Sequence, residues 1–181
     1  MKRWALLLRG VNVGGHRKLP MADLRAWLER IGCRDVTTLL ASGNAVVTTS
    51  RTDGAALEGW LESEAKAIGL VTDFLVRDAD GLRAVIAANP FPDAARAHPN
   101  HLVVTFHRAP VPGALVEAVA AEYAGPERLA VVGRELFVDY PDGIGDSKLA
   151  PALGRAKFPK LATARNWNTV TKLAALLSAP R

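Results

Sequence analysis

The chain has 181 residues, 49% of them hydrophobic and 23% charged, with a net charge of +5. That length suits one or two small domains able to bury roughly 70% of their unfolded surface, and the balance is that of a soluble globular protein. No apolar run approaches the roughly 20 residues of a bilayer span, and a lone cysteine, Cys33, leaves no partner for an intramolecular disulfide.

The start, Met1-Lys2-Arg3-Trp4-Ala5-Leu6-Leu7-Leu8, imitates a secretory signal for a few residues. Arg9 then ends the apolar stretch and no small-residue cleavage site follows, so residues 3–8 read as a buried strand and a cytoplasmic location is expected. Pro20 opens a helix in which Leu24, Trp27, Leu28 and Ile31 share one face, and Gly32 stops it. Cys33, just beyond that stop and beside Arg34, reads as a structural cysteine. Residues 36–41 and 45–49 are β-rich and flank a hairpin turn at Ser42-Gly43-Asn44. Thr52 or Asp53 caps a second helix with Leu57, Leu61, Ala65 and Ile68 inward, and residues 71–76 form a fourth strand. The order β-α-β-β-α-β is the split pattern of ferredoxin-like domains.

Asp78 caps a linking helix carrying Leu82, Val85 and Ile86, which Asn89-Pro90-Phe91-Pro92 stops, leaving 88–100 as an exposed loop. A strand at 101–106, a helix at 113–122 and a hairpin of 129–132 with 135–140 around Gly133-Arg134 come next, then a helical C-terminus. This is β-α-β-β-α, a second ferredoxin-like unit lacking its last strand, alike in order without a residue-level repeat. The expected fold is α+β with two ferredoxin-like subdomains, divided as 1–77, a link at 78–100, and 101–181.

Charge points to the partner. Residues 1–35 carry +5, residues 36–145 carry −6 and residues 146–181 carry +6. Two basic ends around an acidic middle suggest an anionic ligand, or else a merely solvated surface. Three segments group the polar, cationic and glycine residues. The loop Arg9-Gly10-Val11-Asn12-Val13-Gly14-Gly15-His16-Arg17-Lys18 joins a strand to a helix, where backbone N–H groups and the helix dipole favour an anion. It is not a phosphate-binding Walker loop, because His16-Arg17 stand where Lys and Ser or Thr are required. The loop Tyr140-Pro141-Asp142-Gly143-Ile144-Gly145-Asp146-Ser147-Lys148 offers a hydroxyl and a cation. Asp142 and Asp146 there read as a turn former and a cap rather than as a base or magnesium ligand. A C-terminal helix, capped by Thr163, buries Trp167, Val170, Leu173, Ala174 and Leu177 and sets Arg165, Asn168, Thr169 and Lys172 on the opposite face. A polar face with no acid favours an anion or a polar inter-domain contact. His98-Pro99-Asn100-His101 has two histidines but no helical metal face, so no metal site is expected.

The segments Arg9-Gly10-Val11-Asn12-Val13-Gly14-Gly15, Ala41-Ser42-Gly43-Asn44, Ala88-Asn89-Pro90-Phe91, Tyr140-Pro141-Asp142-Gly143-Ile144-Gly145 and Thr163-Ala164-Arg165-Asn166-Trp167-Asn168-Thr169-Val170 resemble the hallmark segments of the domain-of-unknown-function family 1697. The resemblance implies a small bacterial cytoplasmic protein with two ferredoxin-like subdomains. It carries no catalytic residue, because the family has no established activity.

Three functions follow as expectations. The first is binding of a small phosphorylated or nucleotide-like ligand between the subdomains by Arg9, Asn12, Gly14, Gly15, Lys18, Ser42, Asn44, Lys148, Arg165 and Asn168, with no catalytic residue or cofactor assigned. The second is a structural or interaction protein in which those residues lock the fold. The third is phosphate-dominated nucleic-acid binding, which the lack of paired strand aromatics disfavours. No membrane partner is expected, and the sequence leaves the oligomeric state open.

Overall fold

The computed structural model describes residues 1–13 and 18–179. The chain divides into two compact units, Met1–Ala84 together with the segment from Lys172 onward, and Val85–Thr171. Both are α+β, and each holds one four-stranded antiparallel sheet.

The first unit runs β1 (Lys2–Leu8), α1 (Met21–Arg30), β2 (Arg34–Leu39), β3 (Asn44–Thr49), α2 (Gly54–Ala67) and β4 (Phe74–Arg77). Its sheet has the order β2-β3-β1-β4, with Leu6 opposite both Ala45 and Val76. A crossover helix after β1 and another after β3 produce that order: each carries the chain past a neighbouring strand. Trp4, Leu6, Leu8, Val47, Phe74 and Val76 form one core with Leu24, Trp27, Leu28, Leu57 and Leu61 from the helices. Burying a Leu or Phe side chain there contributes about 1.5–3 kcal/mol. Asp53 caps α2, accepting from the Ala56 N–H at 2.7 Å. Ile68, expected inward, is half exposed, because α2 ends at Ala67 and the chain turns through Gly69. The fourth strand begins at Phe74, and Val71 lies exposed before it.

From there the chain continues through α3 (Ala79–Ala87), α4 (Pro92–Ala97), β5 (Leu102–His107), α5 (Ala114–Glu122), β6 (Arg128–Val132), β7 (Glu135–Asp139), α6 (Ala150–Arg155), β8 (Ala162–Asn166) and α7 (Trp167–Ser178). The second sheet has the order β6-β7-β5-β8. Val103, Leu136, Val138 and Tyr140 meet Val119 of α5, Leu149 just before α6 and Ala152 within it in its core.

Two expectations are corrected here. The second unit does not lack its last strand: β8 pairs with β5, setting Val104 opposite Arg165. Residues 163–166 therefore do not open the last helix. Nor are residues 88–100 simply an exposed loop: they contain α4, which starts at Pro92, buries Ala94 and follows a buried Phe91. Proline at a first helical position begins a helix as readily as it ends one, since its missing N–H has no partner there anyway.

A repeat hidden in the sequence emerges at two strand-to-helix joints. Arg77 ends β4 and Arg165 sits one residue before the end of β8, and both are buried. The next residue caps the following helix in each case. Asp78 Oδ1 accepts from the Gly81 N–H at 2.8 Å, and Asn166 Oδ1 accepts from the Thr169 N–H at 3.0 Å. Four residues after each cap, Leu82 and Val170 are fully buried.

Candidate functional site

The first glycine loop leaves β1 at Leu8 and turns through Gly10 and Asn12, both with positive φ (66° and 55°). Asparagine tolerates that conformation better than most side chains. Its amide then ties three pieces of chain together. Asn12 Nδ2 donates to the carbonyls of Leu19 (2.8 Å) and Ala41 (2.6 Å), and its Oδ1 accepts from the Leu19 N–H (2.7 Å). The loop is thereby held against the β2–β3 hairpin. Leu8 donates its N–H to the Gly43 carbonyl at 2.9 Å. Gly43 is required twice over, by a φ of +78° and by Val11, whose Cγ2 would collide with a Cβ there.

Arg9, Asn12, Lys18, Ser42 and Asn44 all belong to this first unit, but most have structural work. Arg9 pairs with Asp73 at 2.8 Å, and its carbonyl accepts from the Thr72 hydroxyl. Asn44 is fully buried and donates to the Leu39 carbonyl and to the Ser42 hydroxyl, both at 2.9 Å. Lys18 differs: it is exposed and makes no ion pair among the described residues. It lines an open groove of about 420 Å³ with Asn12, Leu19, Pro20, Met21 and Ala41, beside the N-terminus of α1. Gly14 and Gly15, also expected to bind ligand, lie outside the described residues.

In the second unit the loop after β7 turns at Gly143, whose N–H donates to the Tyr140 carbonyl. Ser147 does not present a free hydroxyl. It donates to Glu127, which also accepts from Tyr123 at 2.8 Å, and its Oγ accepts from the Leu149 N–H. Burial raises the Glu127 carboxyl, but the two hydroxyl donors outweigh it and hold the group below its ordinary range. The same contact with Glu127 raises the Tyr123 phenol. Ser147, not Asp146, thus binds the main chain ahead of α6, whose N-cap position, Leu149, has no side-chain cap. Lys148 is exposed.

The polar helical face expected at the C-terminus does not form. Arg165 lies in β8, before the helix. Its Nη1 donates to the Thr163 hydroxyl (2.8 Å) and the Ala164 carbonyl (2.7 Å). Burial alone pulls its guanidinium down to about 10, so it remains charged at neutral pH. Asn166, not Thr163, caps α7, and it binds the Thr169 hydroxyl as well as its N–H. Thr169 is buried, whereas Asn168 and Lys172 are exposed.

A charged cluster in the second unit went unseen in the sequence. Asp139 at the end of β7 is almost fully buried, with His98 Nε2 at 2.8 Å from one oxygen. Arg128 donates to its other oxygen through Nε (3.0 Å) and Nη2 (2.8 Å). Arg128 also reaches Asp93 of α4 at 2.7 Å and lies 4.7 Å above the Phe91 ring. The visible signal is an aspartate closing the apolar run Leu136-Phe137-Val138, the mark of a buried carboxylate that demands partners. Its contacts fasten α4 to the sheet.

Comparison with known proteins bears on the fold. No curated protein matches the sequence. The chain is similar to a solved structure of the conserved bacterial protein SP0830 from Streptococcus pneumoniae, at 24% identity and a TM-score of 0.74, covering 98% of this chain and 99% of that one. That likeness concerns the arrangement of the chain alone. No helix among the described residues is long and apolar enough to cross a membrane. Residues 1–137, which include the Asn12 loop, the Gly43 turn and the Asn89 segment, match the family described as "Protein of unknown function (DUF1697)", and the chain belongs to that family.

Proposed function

We propose that this protein, read as bacterial and cytoplasmic, binds a small phosphorylated or nucleotide-like anion in the groove beside the first loop. The carrying observation is Lys18: an exposed cation without an ion pair among the described residues, on a groove of about 420 Å³. Asn12 holds the groove's two sides in register before any ligand arrives, which lowers the ordering cost of binding. The positive end of α1 adds attraction within its first turn. Leu19, Pro20 and Met21 give an apolar wall suited to a base or sugar face.

The strand orders β2-β3-β1-β4 and β6-β7-β5-β8, each with two crossover helices, support reading both units as ferredoxin-like. A specific observation favours a second role for the other motif residues. Asn12, Asn44 and Arg165 all donate to main-chain carbonyls, which supports an architectural function for them. The test is a melting-temperature screen of the full chain against phosphate, nucleoside monophosphates and sugar phosphates. A ligand that binds only the folded state raises Tm. We expect a saturable rise that Lys18→Ala abolishes. A rise unchanged in Lys18→Ala contradicts this site.

A further inference from the structure

Between α1 and the chain that follows α2 lies a second cavity, of about 270 Å³, distinct from the Lys18 groove. Leu24, Trp27, Ile68 and Leu70 supply most of its apolar wall, Leu19 is shared with the Lys18 groove, and Asp23 and Arg30 are its charged groups. Among the described residues, two donors in this lining have no acceptor. Trp27 is only 4% exposed, and its buried indole Nε1 has no hydrogen-bond partner among those residues. Arg30, one turn further along the helix, is exposed and makes no ion pair or side-chain hydrogen bond among the described residues. A buried donor left unmade costs about 1–3 kcal/mol, so its persistence calls for an explanation. Ile68, half exposed at the end of α2, is another anomaly at the same place.

We infer that this cavity is a binding site for a small amphiphilic carboxylate, with its aliphatic body against Leu24, Trp27, Ile68 and Leu70 and its head at Arg30. The volume limits the body to a short chain, just below the usual range of small-molecule pockets. Charge sets the direction. Asp23 and Arg30 are seven residues apart, roughly 10 Å along the helix axis at 1.5 Å per residue. A carboxylate head is attracted to the Arg30 end and repelled from the Asp23 end. The guanidinium fork matches a carboxylate better than any other side chain does. A bound carbonyl or carboxyl oxygen also gives the Trp27 indole the acceptor it lacks.

Isothermal titration of the full chain with octanoate, octanol and octylamine tests this, with tryptophan fluorescence as a parallel readout. The expected result is saturable binding of octanoate, weaker binding of octanol and none of octylamine. Arg30→Gln is expected to weaken octanoate about tenfold, the effect of losing one charge-assisted hydrogen bond. Trp27→Phe removes the indole N–H while leaving a smaller aromatic ring, and is expected to weaken it severalfold. Lys18→Ala is expected to leave it unchanged, which separates this site from the anion groove. Absence of saturable octanoate binding, equal binding of octylamine, or an octanoate affinity indifferent to Arg30→Gln overturns the proposal.

Discussion

Asn12 and Asn166 show how one amide replaces several weaker contacts. Asn12 makes three hydrogen bonds across two loops, so Asn12→Ala is expected to lower stability by about 2 kcal/mol in urea denaturation. Asn166→Ala removes the cap of α7 and is expected to cost about 1 kcal/mol, whereas Asn166→Asp is expected to be nearly neutral, because Asp78 does the same work before α3. Cys33 is buried, and that burial pushes its thiol up to about 11 despite the nearby Arg51 charge. Labelling of the native protein by a thiol reagent at neutral pH is therefore expected to be slow, and fast once the protein is unfolded. The motif residues stood out in the sequence as polar clusters, but their tasks did not. Whether Asn12 faces a ligand or the Ala41 carbonyl depends on which distant loop lies beside it, and no local pattern records that.

At the scale of elements, α4 depends on side chains far from it in sequence. Arg128 joins Asp93 of α4 to Asp139 of β7, and His98 closes the same group. Removing Arg128 leaves a buried carboxylate without its main counter-charge. Arg128→Gln is expected to speed amide exchange at Ala95 and His98, whose N–H groups bond at the two ends of α4, by at least about tenfold while leaving β1 protected. The first unit was legible because its apolar positions keep clean periods, with Leu24, Trp27 and Leu28 on one helix and Leu57 and Leu61 on the other. β8 was not, because its two buried positions are Thr163 and Arg165, so no apolar alternation marks a strand. α4 was hidden for the opposite reason: Pro90 and Pro92 look like breakers, yet one of them starts the helix.

The acid stability of the molecule as a whole follows from carboxylates that the folded state keeps ionised. Burial raises Asp78, but Lys2, at 2.7 Å, and the Gly81 N–H outweigh it, so the folded carboxyl lies below its ordinary value. Such a group contributes its full stability above the unfolded-state value, about pH 4, and loses it as the pH falls through the folded value. Tm is expected to drop below about pH 4, and less steeply in Asp78→Asn, which retains the cap. Charge distribution reached the same scale directly: the basic first segment that carries Lys18 was visible in the sequence. The groove itself was not visible, because it exists only where the Asn12 loop meets the hairpin at Ala41.

The most direct measurement is calorimetric titration of the protein with a nucleoside monophosphate and with inorganic phosphate, in wild type and Lys18→Ala, at low and high salt. The expected result is saturable one-site binding, tighter for the nucleotide, weakened by salt and lost in Lys18→Ala. Absence of binding by either compound, or binding that Lys18→Ala leaves intact, contradicts it.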